Sequence, residues 1–172
     1  NVLVMRISIC LLWLFFCHEV FTQPPKLIVP VGHTDRVQSM AISPDGKYVL
    51  TGGGDNMFFL WYPNGYVVEG FDEHEGSVNA VVFSPDGKAF LTASSDGRAK
   101  MWDLQGKLLQ TFEPDAGNIY ALAFSPTGDS ILMSCQRQQA VLYHMNGKKL
   151  RAFTDNGMLK VNSAVFSPNG RY

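Results

Sequence analysis

One four-residue turn, copied at a fixed interval, limits what this chain can fold into more than any other feature. Ser-Pro-Asp-Gly at Ser43 returns as Ser-Pro-Asp-Gly at Ser84, Ser-Pro-Thr-Gly at Ser125 and Ser-Pro-Asn-Gly at Ser167, at spacings of 41, 41 and 42 residues. Trp61, Trp102 and Tyr143 repeat at the same 41-residue interval, in LWYPNG, MWDLQG and LYHMNG. A period of this length marks units that bury their apolar faces by stacking on their neighbours. Within a unit, runs such as VNAVVF and KAFLTAS alternate with period two and are bounded by Asp-Gly, Pro-Asp-Gly or Asn-Gly turns. That pattern reads as short antiparallel strands joined by tight turns whose glycines supply positive φ. The second unit then holds strands at about 78–83, 89–93, 99–102 and 107–112. No helical period competes with this reading downstream of residue 23.

The chain resembles WD40 repeat proteins, whose units run Gly-His, strand, turn, strand, Asp, strand, Trp-Asp, strand. The residues that carry the resemblance are Gly32-His33, Glu73-His74, Trp61-Tyr62 and Trp102-Asp103, in step with the Ser-Pro-Asp-Gly turns across residues 26–172. It implies an all-β fold, a WD40-like β-propeller fragment of about three and a half four-stranded antiparallel blades preceded by a signal peptide. The units are 32–71, 72–112, 113–154 and a partial 155–172, with a leading outer strand at 23–31. The outer strand of one repeat is expected to complete the blade formed by the next three strands. Lys26–Val31, which aligns with Lys107–Phe112, would be such a strand. Propellers carry four to eight blades, so further C-terminal repeats are expected to close the ring.

The resemblance also implies a hydrogen-bonded tetrad inside each blade, here His33, Thr51, Asp55 and Trp61, then His74, Thr92, Asp96 and Trp102. A carboxylate accepting from an imidazole, the imidazole from a hydroxyl and the hydroxyl from an indole N–H leaves few buried polar groups unpaired. The same residue types form nucleophilic triads. Two copies at the repeat interval fit a structural device, and the reading adopted is no catalytic residue. In the third unit the tetrad positions hold Asp115, Met133, Arg137 and Tyr143, so no tetrad can form. That departure marks either a site tuned for binding or drift in a unit whose packing suffices, drift being the simpler account.

Partner contacts are expected where strand-one starts and the residues before the turn Asp are displayed. These places are Arg36, Gln38 and Gly54, then Ser77, Asn79 and Ser95, then Asn118, Tyr120 and Gln136, with Lys160 and Asn162 from the partial unit. Their amides and hydroxyls suit a peptide, with Tyr120 and Arg36 as anchors by residue type. The bland reading of each is a solvated face.

The 14 basic and 15 acidic residues give a formal charge of -1, which supplies no field for nucleic acid or an anionic membrane. No cofactor is indicated: Thr51–Asp55 lacks the Gly-Lys-Ser/Thr of a phosphate loop. Of the three cysteines two, Cys10 and Cys17, fall in the N-terminal apolar segment, leaving Cys135 alone with neither disulfide framework nor zinc ligand set. The basic cluster Gly147–Arg151 reads as protection of an exposed strand edge.

Met5 and Arg6 precede an apolar run from Ile7 to Cys17, ended by His18 and Glu19. The run is short for a membrane span and fits a signal peptide over 1–22 with its start at Met5, Val20 and Thr22 standing at the -3 and -1 places. The alternative is a buried strand or helix. Secretion or a periplasmic location follows from the signal, a cytoplasmic one if the segment is not a signal.

The function expected is a non-catalytic module, a scaffold for a protein or peptide partner, of bacterial exported type. The alternative is the sensory or regulatory part of a larger enzyme, for example a caspase-like peptidase, with its catalytic domain beyond Tyr172.

Overall fold

A computed structural model describes residues 32–137, 139–154 and 161–170. The leading strand expected at 23–31 and the N-terminal apolar segment lie outside the described residues. The described part holds twelve strands in three four-stranded antiparallel sheets and, among the described residues, no helix. The first sheet is β1 (Val37–Ile42), β2 (Val49–Gly53), β3 (Phe58–Trp61) and β4 (Val67–Phe71). The second is β5 (Val78–Phe83), β6 (Ala89–Ser94), β7 (Ala99–Asp103) and β8 (Leu108–Phe112). The third is β9 (Ile119–Phe124), β10 (Ser130–Cys135), β11 (Gln139–His144) and β12 (Lys149–Thr154). Each is a simple meander, paired in sequence order, and the three are propeller blades of the WD40 type.

The pairing corrects one expectation. The last strand of each unit joins the three strands before it, since β4 pairs β3, β8 pairs β7 and β12 pairs β11. The cause is local: a tight turn, closed by Gly65 N–H on Tyr62 C=O (2.9 Å) and Gly106 N–H on Asp103 C=O (3.0 Å), folds the chain straight back. Pairing across so short a loop costs little closure entropy. The partial unit differs from the three blades. Residues 161–166 form no strand, although the Ser-Pro-Asn-Gly turn after them closes, with Gly170 N–H donating to Ser167 C=O at 2.8 Å.

The four turns are alike because their residues act alike. Ser43, Ser84 and Ser125 are buried, and their hydroxyls donate to Asp45 (2.8 Å), Asp86 (2.6 Å) and Asp129 (2.9 Å). Ser167 donates to Asn169 (2.8 Å). The Ser43 hydroxyl, with Lys47 beside it, brings the Asp45 carboxyl down to about 2. The turn glycines take φ of 71°, 67°, 74° and 67° at Gly46, Gly87, Gly128 and Gly170, a region that costs other residues. The turns also stack. A Cβ added at Gly87, Gly128 or Gly170 would come within 3.4–3.6 Å of Pro44, Pro85 or Pro126 of the preceding unit, so successive turns lie side by side.

The core lies between blades. Leu50, Phe58 and Leu60 of the first sheet bury against Val78, Val81, Phe83, Phe90 and Trp102 of the second. Leu91, Ala93 and Phe112 of the second bury against Ile119, Ile131, Met133 and Tyr143 of the third. Phe58 stacks on Phe71 (4.7 Å between centroids) and meets Trp102 at 5.2 Å. Each such side chain contributes about 1.5–3 kcal/mol when fully buried, and the adjacent blade supplies part of that burial. Gly52 permits the approach: a Cβ there would lie 2.6 Å from a Val78 methyl.

Candidate functional site

In the first blade, Trp61 Nε1–H donates to Thr51 Oγ1 (2.8 Å), which stands 2.9 Å from His33 Nε2, while His33 Nδ1 lies 2.9 Å from Asp55. The second blade repeats the chain: Trp102 to Thr92 at 3.0 Å, Thr92 to His74 at 2.8 Å and His74 to Asp96 at 2.8 Å. A carboxylate only accepts, so Nδ1 carries the imidazole proton and Nε2 accepts from the hydroxyl. The carboxylates also collect backbone donors. Thr34 N–H and Met57 N–H reach Asp55 at 2.7 and 3.2 Å; Glu75 N–H and Arg98 N–H reach Asp96 at 3.2 and 2.8 Å.

These environments tune the charges. Burial pushes the His74 imidazole below its ordinary value, and the bond to Asp96 offsets this only in part. Burial pushes Asp96 and Asp55 upward, but the imidazole and backbone N–H groups outweigh it and hold both below the usual aspartate value. Thr92 and the His74 side chain are fully buried. A Thr, His and carboxylate in line is the arrangement of a nucleophile, base and orienter, yet here the oxygen that would attack receives the indole N–H inside a closed core. The arrangement joins second strand, third strand and incoming loop into one unit.

The third blade has no such chain. Met133 is fully buried, Tyr143 O–H donates to Glu113 C=O (3.1 Å), and Arg137 turns to the Asp115 carbonyl (3.4 Å). Asp115 sits at φ 56°, a left-handed conformation that aspartate tolerates better than most residues.

The residues singled out for partner contact in the three blades come together at one end of the sheets. Backbone bonds bring each pair to the same relation: Gly54 N–H to Arg36 C=O (2.8 Å), Ser95 N–H to Ser77 C=O (2.9 Å) and Gln136 N–H to Asn118 C=O (2.8 Å). Gln38, Asn79 and Tyr120 are each the extra residue of a β-bulge in a first strand, since Val37 and Ser39, Val78 and Ala80, and Ile119 and Ala121 face consecutive residues of the second strand. A bulge re-aims its extra side chain out of the ladder. Sequence alternation gave no sign of it.

The set is not uniform. Asn79 Nδ2 donates to Ser95 Oγ (3.0 Å) and across the blade boundary to Ile119 C=O (2.8 Å), and Ser77 Oγ donates to Gly54 C=O (3.3 Å). Gln136 Oε1 accepts from Asn118 N–H (3.3 Å). These side chains tie neighbouring segments together. Arg36, whose side chain is 83% exposed, Gln38 and Asn162 face solvent. Lys160 lies outside the described residues.

The sequence model described as "WD domain, G-beta repeat" matches residues 25–62, 65–103 and 106–141, well over half of the chain. The chain belongs to the WD40 family. Members of this family generally bind proteins and are generally non-catalytic, which makes a protein-interaction scaffold the broad assignment. The chain is also similar to Ribosomal RNA-processing protein 9 of Saccharomyces cerevisiae, 53% identical over 30 residues that cover 17% of this chain and 5% of that protein.

Proposed function

We propose that this WD40 chain is a non-catalytic scaffold that binds a protein or peptide at the blade end carrying Arg36, Gln38, Asn118, Tyr120 and Gln136. The observation that carries the reading is the bulge in every first strand. Three bulges at 38, 79 and 120 put one re-aimed side chain per blade beside a bonded pair of loop backbones. A row of polar groups on rigid strands loses little freedom on binding, which favours peptide recognition. The opposite end carries the Ser–Asp turn bonds. The short match to the yeast protein is too small a part of that protein to bring its role here, and the formal charge of -1 does not favour an RNA surface.

A photocrosslinking residue placed at Gln38 or Tyr120 in the full chain should give covalent adducts with a partner, while one at Lys88, at the other end, should not. Adducts at Lys88 with none at Gln38 or Tyr120 would reverse the assignment. The reading includes export, on the strength of the apolar segment after Met5. Terminal sequencing of protein recovered outside the cytoplasm should then begin near Gln23, and recovery of uncleaved cytoplasmic chain would remove that part.

A further inference from the structure

A pocket of about 230 Å³ opens between the second and third blades, at the end that carries the Ser-Pro turns; its walls include Pro85, Asp86, Lys88, Ala89, Thr127 and Met145. Counted by the 41-residue repeat, Ala89 stands where the first blade has Tyr48, and Met145 where the second has Leu104. Tyr48 and Leu104 pack on the core shared by the first two blades, and Met145 packs on the core shared by the second and third. Tyr48 lies two residues before the buried Leu50, and Ala89 two before the buried Leu91. Strand alternation therefore points both toward the following blade. Ala89 brings a methyl where Tyr48 brings a phenol ring, and the pocket is the space left by that difference. The Ala89 backbone is already paired, its N–H donating to Ser84 Oγ (3.0 Å) and its C=O accepting from Ser84 N–H (2.9 Å). Its methyl is what it offers the pocket. Ala89 and Met145 are half-buried while Pro85, Lys88 and Thr127 are exposed, so a solute reaches these walls from outside.

We infer that this pocket binds a small aromatic molecule, one ring with a short substituent, seated as the Tyr48 ring is seated at the preceding boundary. The chain itself supplies the template for the occupant, since the same place one repeat earlier is filled by a phenol. The size agrees: a cavity of about 150 Å³ accepts benzene, and 230 Å³ leaves room for a substituent. Pro85, the Ala89 methyl and Met145 provide apolar walls, and a thioether beside a ring is a favourable contact. Lys88, whose side chain is 85% exposed, and the Thr127 hydroxyl stand at the pocket as hydrogen-bond partners for a ring hydroxyl. Asp86 is occupied by the Ser84 hydroxyl (2.6 Å) and Lys88 N–H (3.1 Å). The occupant is a free molecule because the protein partner is placed at the opposite blade end, and that clause alone rests on the reading above.

The test titrates 4-methylphenol into the methyl-labelled full chain and follows the Ala89 and Met145 methyl resonances. Both should shift saturably, while 4-methylcyclohexanol, of similar size but not aromatic, should bind severalfold more weakly. Ala89→Tyr places the chain's own ring in the pocket and should weaken the Met145 shift at least tenfold. Tyr48→Ala makes the converse change and should open a second site, seen as a new saturable shift of the Leu104 methyls. No saturable shift in the wild type, equal binding of the two alcohols, a Met145 shift unchanged in Ala89→Tyr, or no response at Leu104 in Tyr48→Ala would each overturn the inference. Phenol binding at Ala89 together with protein adducts at Lys88 in the crosslinking experiment would make the ring a partner's side chain and overturn the assignment to a free molecule. Failure of crosslinking at Gln38 and Tyr120, with phenol binding intact and no protein adducts at Lys88, would remove the partner face and retain this pocket.

Discussion

Replacing Thr92 by Val keeps shape and volume nearly constant and removes one oxygen from the centre of a tetrad. That oxygen lies 3.0 Å from Trp102 Nε1 and 2.8 Å from His74 Nε2, and it is fully buried. The substitution leaves an indole donor and an imidazole acceptor without partners at a place water does not reach. Each orphaned buried group costs about 1–3 kcal/mol, and the added methyl returns about 0.8 kcal/mol of apolar burial, so a net loss of about 1–5 kcal/mol is expected. At this chain length, where 1 kcal/mol lowers Tm by about 2–4 °C, that is a fall of roughly 2–20 °C. Thr51→Val is the internal control. It breaks the same bonds, at 2.8 Å to Trp61 and 2.9 Å to His33, but Thr51 and Trp61 are half-buried, so water can take over part of the bonding and a loss of about 1 kcal/mol is expected. Urea unfolding of the full chain, followed by far-ultraviolet circular dichroism, measures both. Equal losses in the two variants, or less than about 1 kcal/mol for Thr92→Val, would refute the argument that buried polar satisfaction sets the value of the tetrad.

Acid should weaken the fold in two stages. Burial lowers the His74 value from 6.5, so its contribution is complete above about pH 6.5 and is lost as pH falls through the lower folded-state value; Asp55 and Asp96, held below 3.8, lose theirs as pH falls further. A urea midpoint that stays constant from pH 7 to pH 4 would contradict this. The Cys135 thiol, pushed up to about 11 by burial, should resist alkylation at pH 8 in the folded chain and react only on unfolding; peptide mapping that finds it modified without denaturant would count against the buried placement. Gly52→Val should separate the first two blades, since even a Cβ comes within 2.6 Å of Val78, and should cost about 1–3 kcal/mol by overpacking. An unchanged unfolding midpoint would show that the blades do not meet there as described.

Much of the fold is legible in the chain because its signals are local. The alternation in Val78–Phe83, the glycines at φ 67–74° in the Ser-Pro turns and the 41-residue return of Trp61, Trp102 and Tyr143 each act within a few residues. The tetrad members are legible for another reason: they stand at equal offsets in two units, and covalent spacing is visible without coordinates. Pairing is different. Whether a fourth strand closes onto the strands before or after it depends on turn geometry, and the expectation chose the wrong neighbour.

The candidate surface divides along the same line. Gln38, Asn79 and Tyr120 can be picked out by position, but the bulge that re-aims them arises from a mismatch between two strands and exists only once both are paired. Asn79 reads as an exposed amide, yet it bonds the Ile119 carbonyl of the next blade. Arg137 is a departure from the repeat in the sequence; only the structure shows its guanidinium turned onto the Asp115 carbonyl. The sequence by itself determined the unit, its turns and the identity of the residues that repeat, because these depend on neighbours along the chain. Tertiary structure alone decided which sheets share a core, which polar groups are spent holding blades together and which face outward, because each of those outcomes is set by groups tens of residues apart meeting in space.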